Sequence, residues 1–199
     1  MADDAFARID RALRLEGQVS SDFDLNPGIK LAPDRRLSDA AVLVGLSEGA
    51  DGLEVILTKR SSRLRHHPGQ IAFPGGKTDP EDASPEAAAL REAREEIGLP
   101  ASVVRVMGRL PTHETVTGFI VTPVVAEITA PFEERREAGE VDEVFRVPLT
   151  HLGDPGRYRV EWRLWRGQRR HFYVVPWGPY YIWGATARIL RGLADRLAA

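Results

Sequence analysis

The sequence predicts an α/β fold of the α+β kind, an α/β/α sandwich with a mixed β-sheet held between helices. Three observations lead there. Strand-length apolar runs recur along the chain, one strongly signalled helix interrupts them near the middle, and an amphipathic helix closes the sequence. At 199 residues the chain suits one domain, with a terminal extension, and can bury a proper core.

The elements follow in order. Phe6, Ile9, Ala12 and Leu13 stand at helical spacing and predict a short amphipathic helix over residues 3–16. Gly17 to Asp39, with Asn26-Pro27-Gly28 and Pro33, reads as a linker or strap. Ala40–Leu46 and Leu53–Lys59 flank Gly49-Ala50-Asp51-Gly52, the pattern of a β-hairpin. The central helix has both punctuation marks: Ser84 caps it, Pro85 takes its first position, Glu86 faces its positive end, and Gly98 and Pro100 stop it. Ala87, Leu90, Ala93 and Ile97 form its expected apolar stripe. Strands are expected at Val103–Leu110, Phe119–Ile128 and Val144–Leu149. A second hairpin is expected from Arg157–Trp165 and His171–Val175 about Gly167, then a helix over Tyr181–Leu197 that buries Ile182, Ala185, Ile189, Leu193 and Leu197.

Composition removes several classes of function. The 27 Lys and Arg against 29 Asp and Glu leave a formal charge of -2, so no basic field argues for nucleic acid. With no Cys, thiolate nucleophiles, disulfides and Cys-ligated zinc are ruled out. No apolar stretch approaches a membrane span, since Val116–Ile128 is broken by Pro123. The N-terminal residues lack an apolar signal core and the C-terminal Arg-Leu-Ala-Ala matches no lipidation signal; a cytoplasmic protein is expected.

Chemistry concentrates on the central helix. Glu92, Glu95 and Glu96 stand at i, i+3 and i+4, so three carboxylates share a face. A solvated acidic face is the plainer account of such a run, yet like charges at this spacing cost about 0.2–0.5 kcal/mol per pair. A hard divalent cation offsets that better than Arg91 and Arg94 do. Just before the helix runs Phe73-Pro74-Gly75-Gly76-Lys77, whose paired glycines let backbone approach a ligand or metal closely.

The stretch Gly76–Leu99 resembles the Nudix box. Its second half, Arg91-Glu92-Ala93-Arg94-Glu95-Glu96-Ile97-Gly98-Leu99, matches throughout. Its first half departs: Asp82 stands where the family has Glu, and eight residues rather than seven separate it from Arg91. The role of the box's first Glu is therefore not carried over to Asp82. Residues 56–76, ILTKRSSRLRHHPGQIAFPGG, resemble the motif of the coenzyme A pyrophosphatase branch of bacterial type. Leu57, Thr58, Arg60, Ser61, Arg65, Gly69, Phe73, Pro74, Gly75 and Gly76 fall in register with it, and that branch also tends to carry the lengthened, Asp-containing box.

The resemblance implies a Nudix-type sandwich, with an N-terminal helix and strap over residues 1–35 and the Nudix domain over 36–199, C-terminal helix included. It implies metal-dependent cleavage of the pyrophosphate of coenzyme A or a derivative, with Mg2+ or Mn2+ held by Glu92, Glu95, Glu96 and a carbonyl of Gly75 or Gly76. Arg91 is expected to orient a glutamate through a bidentate pair. Lys59, Arg60, Arg65, Gly69, Phe73 and Gly75 are the expected substrate-binding positions, beside Arg63 and the incidental pair His66 and His67. The general base stays open among Glu92, Glu95, Glu96, Glu140 and Glu143; the two loop glutamates read equally as surface acids.

Other features have plainer alternatives. Arg157 to Arg170, with Arg166 among its six arginines and Tyr158, Trp162 and Trp165 interleaved, has the composition of an RNA-stacking surface, but alternation at period two reads more simply as an exposed hairpin. His113, Phe119, Trp177, Tyr180 and Tyr181 suit an adenine or pantetheine pocket and suit core packing equally. The expected partner is a small coenzyme A-type molecule, with neither nucleic acid nor membrane; a homodimer through Trp177–Tyr181 is one option. Two rivals stand beside this reading: a Nudix diphosphatase for ADP-ribose or a dinucleotide, and a non-catalytic nucleotide sensor, against which the three retained glutamates argue.

Overall fold

The computed structural model describes residues 2–29, 34–165 and 167–199; Pro33 and Arg166 lie outside the described residues. Its elements are α1 (Ala2–Arg14), β1 (Ser20–Ser21), β2 (Ser38–Gly49), β3 (Gly52–Arg60), β4 (Ile71–Ala72), β5 (Gly75–Lys77) and α2 (Pro85–Ile97). They continue as β6 (Val104–Arg109), β7 (His113–Glu114), β8 (Phe119–Ile128), β9 (Val141–Pro148), α3 (Leu149–Leu152), β10 (Arg159–Trp165), β11 (Gln168–Val174) and α4 (Gly184–Leu197).

The main sheet is mixed, as expected. β2 runs parallel to β8 along Ser38–Leu46 and antiparallel to β3 and β5, while β3 also carries β4 and β9. The period-two alternation of β2, β3 and β8 sends apolar side chains to both faces. Ala41, Leu43, Ile56, Val124 and Ala126 pack beneath α2 through Ala88, Ala89, Ala93 and Ile97. Val44, Leu46, Val55 and Leu57 turn to the other face, where Phe6 and Ile9 of α1, Leu152 of α3 and Leu190 and Leu193 of α4 cover them. These two apolar layers make the sandwich.

Helix α2 has the expected ends: Ser84 Oγ accepts the Ala87 N–H, and Gly98, at φ 75°, closes the helix. Its stripe is rotated from the expected one. Ala88 and Ala89 are buried, while Ala87 and Leu90 are half-covered. The small alanine face lets the helix settle close to the sheet, and it carries Glu92 and Glu96 inward with it. Boundaries shift elsewhere. β9 begins at Val141 and Leu149 already opens α3, and β11 begins at Gln168. Helix α4 starts at Gly184 because Ile182 is an extended, buried residue whose carbonyl accepts the Val175 N–H. Ala185 and Leu197 are only half-covered in α4, where Thr186, Ala187, Leu190 and Ala194 are buried. Among the described residues no helix is long and apolar enough to cross a membrane.

Candidate active site

β5 lays Gly76 opposite Ala41 and Gly75 opposite Val42. The two glycines are needed for different reasons. Gly75 sits at φ 153°, and a Cβ there would fall 2.4 Å from the Ala41 carbonyl oxygen. A Cβ on Gly76 would fall 2.6 Å from the Glu92 carboxyl group. The helix therefore leans over the Gly-Gly strand at a distance only hydrogen allows.

The three box glutamates have unequal surroundings. Glu96 is 4% exposed and accepts the Gly75 N–H at 3.2 Å. Burial pushes its pKa up to about 8, against the pull of the Gly75 N–H, and the Glu92 charge adds to the rise. Glu92 is half-buried, and burial raises its pKa in spite of Arg91. Glu95 points outward, its side chain 58% exposed.

Arg91 corrects the sequence expectation. Its fork grips Asp82 rather than a glutamate, Nε to Oδ1 at 3.1 Å and Nη2 to Oδ2 at 2.9 Å. The remaining nitrogen, Nη1, donates to Glu92 at 2.9 Å and Glu95 at 3.2 Å. Helical side chains lean toward the N-terminus, which aims Arg91 at the loop before α2. There Asp82 is held by a turn in which its Oδ2 accepts the Asp79 N–H at 2.9 Å. The extra residue of the loop thus ends in an anchor for the arginine that aligns Glu92.

Of the cations in the 56–76 motif, Arg60 joins the site. It borders a cavity of about 220 Å³ together with Phe73, Gly75, Gln70, Thr117 and Arg170, and its charge acts on Glu96. Its buried Nε has no hydrogen-bond partner. Phe73 is itself a buried core residue that also borders that cavity. Lys59 and Gly69, the latter at φ 69°, border a second, wider arm of about 460 Å³ with Glu143, Arg163, Tyr180 and Tyr181. His67, Gln70 and Trp183 line both arms, so the two adjoin. Arg65 is not brought in: the chain leaves the sheet after the buried Ser61, and Arg63, Arg65 and His66 lie on the exposed loop beyond it. His67 holds a left-handed φ of 54°, and burial, then Arg60, lowers its pKa.

The aromatic candidates divide. Tyr180 stacks on Phe145 at 3.6 Å and its hydroxyl donates to Glu143, while the Tyr181 hydroxyl donates to Glu161 at 2.6 Å. Phe119 packs on the core and Trp177 tilts against His151 at 4.7 Å. His113 is fully buried, its Nδ1 3.0 Å from Ser20 Oγ and its Nε2 3.4 Å from Asp22. It supports the fold and lines neither arm. Asp22, which no local pattern singled out, walls the inner arm and binds Arg170 at 2.9 Å and the Val116 N–H at 2.9 Å. The buried Asn26 anchors that strap: its amide donates to the His171 carbonyl and its Oδ1 accepts the His171 N–H. Glu143 lies opposite Lys59 in the sheet, whereas Glu140 is exposed and its charge reaches both Glu92 and Glu96.

The donors suit a hard divalent cation. Glu96 and Glu92 are carboxylates whose charged form burial disfavours, Glu92 in spite of Arg91, beside a glycine cradle that a methyl group would fill. Among the described residues no three acidic or imidazole side chains already converge, since Arg91 holds Glu92 and Glu95.

A sandwich with this Gly-Gly strand and glutamate helix defines a class, and the comparisons agree: residues 36–171 match the model of the NUDIX domain. The chain belongs to the Nudix hydrolase family. Its relatives include a protein of Escherichia coli K12 named "Uncharacterized Nudix hydrolase NudL", 46% identical over 184 residues, which span 92% of this chain and 95% of the relative. Its counterpart in Shigella flexneri is 41% identical over the same shares. Among solved structures, a MutT protein from Methanosarcina mazei Go1 superimposes with a TM-score of 0.53 at 18% identity, over 84% of this chain and 96% of that one. A MutT/nudix family protein from Enterococcus faecalis gives 0.53 at 16% identity, over 86% of this chain and 66% of that one. These two likenesses concern the fold alone.

Proposed function

We propose that this protein hydrolyses the pyrophosphate bond of coenzyme A or a derivative, giving 3′,5′-ADP and 4′-phosphopantetheine or its acyl form. The observation that supports the reading is that Arg60 and Gly75 border the inner arm of the cleft together, while Glu96 accepts the Gly75 N–H and feels the Arg60 charge. It joins the residue matching the coenzyme A motif to the box glutamates. The wider arm adds Lys59, Arg163 and two tyrosines, a cationic and aromatic lining suited to a phosphorylated adenosine.

Family members generally use a divalent ion such as Mg2+ or Mn2+; Glu92, Glu95, Glu96 and the Gly76 carbonyl are the groups that would hold it, and it would neutralise phosphoryl oxygens and acidify a water. Arg60, bordering the inner arm, would neutralise phosphate charge. Arg91, anchored on Asp82, orients Glu92. Glu140, exposed and with its charge felt by both Glu92 and Glu96, is the loop glutamate we favour to accept a proton from the attacking water over Glu143, which Tyr180 engages. Water oxygen bonds to one phosphorus as the bridging oxygen leaves with the other.

A chromatographic screen for the two phosphomonoester products over coenzyme A, acyl-coenzyme A, ADP-ribose, NADH and diadenosine polyphosphates, with magnesium or manganese, tests the assignment. Preference for coenzyme A or its acyl forms upholds it; preference for ADP-ribose or a dinucleotide overturns it and leaves the broader family activity.

A further inference from the structure

β10 and β11 form a two-stranded ribbon separate from the main sheet. All described strand pairs of β10 are to β11, so its outer edge offers a row of backbone N–H and C=O groups. Two-stranded ribbons are marginal in water unless something covers them. This one is also apolar where it is bare. Val160, Trp162 and Leu164 alternate onto one face and are 49%, 47% and 70% exposed, a concentration of large apolar surface that a lone domain seldom leaves open.

The order of residues along β10 says what pairs with its edge. Arg159-Val160-Glu161-Trp162-Arg163-Leu164-Trp165 is complementary to itself when reversed about Trp162. We propose that β10 is a self-recognition strand, on which the β10 of a second copy of this chain adds antiparallel across a two-fold axis through Trp162. In that register Glu161 faces the partner's Arg163, Arg163 faces the partner's Glu161, and Val160 meets the partner's Leu164. Arg159 meets the partner's Trp165, a cation against an aromatic ring. Moving the axis to Glu161 or Arg163 sets Glu against Glu or Arg against Arg, so the charges select one register. The interface is isologous and closes at two copies.

The pairing reaches the cleft. Arg163 borders its wider arm, 4.8 Å over the Trp183 ring, and Glu161 holds the Tyr181 hydroxyl, so a second copy stiffens one wall of each site.

The chain has no cysteine, which makes single-cysteine variants clean probes. Antiparallel neighbours have Cα atoms about 4.5–5.5 Å apart, inside the disulfide range of about 4.4–6.8 Å. Under mild oxidation Trp162→Cys is expected to give a covalent species of twice 22.1 kDa. Leu164→Cys alone is expected not to, while a mixture of Val160→Cys and Leu164→Cys chains is expected to link as a mixed pair. In sedimentation, Glu161→Arg or Arg163→Glu should each halve the mass of the parent dimer, and the two together should restore it. A parent that stays monomeric at every concentration, a dimer indifferent to both reversals, or Leu164→Cys linking as fast as Trp162→Cys overturns the proposal.

Discussion

Arg91 and Asp82 are locked together by two parallel hydrogen bonds, at 3.1 and 2.9 Å, across the loop that precedes α2. The same guanidinium then touches Glu92 and Glu95, so one arginine couples the loop to two box glutamates. Losing the anchor should misalign Glu92 without unfolding the domain. Asp82→Asn is expected to lower kcat by about 10-fold or more, in the range seen when partners of metal ligands are removed. Arg91→Lys should do no better, because an ammonium cannot reproduce the fork. Steady-state kinetics with circular dichroism checks both, and a fully active Asp82→Asn would show the pair to be incidental.

Glu95 and Glu96 should not respond alike. Glu96 is buried against Gly75, and Glu96→Gln is expected to cost at least ~10²-fold in kcat, since charge stabilisation in a water-poor site is worth several kcal/mol. Glu95→Gln, at an exposed position, should cost less. In metal-free buffer above pH 8, where the Glu96 carboxyl is ionised, the melting temperature of Glu96→Gln should be no lower than the parent's, because the amide escapes the expense of burying a charge. A large metal-free loss of stability would instead assign Glu96 to the scaffold.

Arg60 and Arg65 carry separable expectations. Arg60 lines the cavity beside Gly75, and Arg60→Ala is expected to remove about 1.5–3 kcal/mol of charge-assisted bonding, or about 10–150-fold in kcat/KM. The effect should be equal on coenzyme A and dephospho-coenzyme A if Arg60 serves the pyrophosphate. Arg65 is exposed beyond the cleft, so Arg65→Ala should have a smaller effect, confined to the substrate carrying the 3′-phosphate. Equal losses for both variants on both substrates would contradict this division.

Asp22 supplies a pH signature in stability. Burial disfavours its carboxylate, yet His113, the Val116 N–H and Arg170 outweigh burial and hold its pKa below the ordinary value. A lowered folded-state value means the folded protein resists protonation there. The stability it contributes is complete above the unfolded value near 3.8 and is lost as pH falls through the lower folded one. Asp22→Asn leaves Arg170 without its counter-charge, and is expected to cost about 3 kcal/mol, or about 6–12 °C in Tm, at neutral pH. Thermal melts from pH 7 to pH 2.5 should show the difference shrinking at the acid end. A constant gap would place the origin elsewhere.

Much of this molecule is written in short-range pattern. The hairpin of β2 and β3, the limits of β8 and the two caps of α2 depend on alternation, on a serine that reaches an N–H three residues away, and on a glycine free to turn left-handed. The glutamates were legible for the same reason, since their spacing places them on one helix; the paired glycines read as a loop, and only pairing with Ala41 and Val42 makes them a strand. The tertiary structure decided which of those carboxylates is buried, because the rotation of α2 about its axis follows from how closely Ala88 and Ala89 settle on the sheet. It also decided that Arg91 reaches Asp82, that Arg60 enters the cleft while Arg65 remains outside, and that Asp22 crosses to Val116 and Arg170. Those contacts join residues far apart in the chain, and their energies belong to the packing of whole elements. No window of neighbouring residues contains that information.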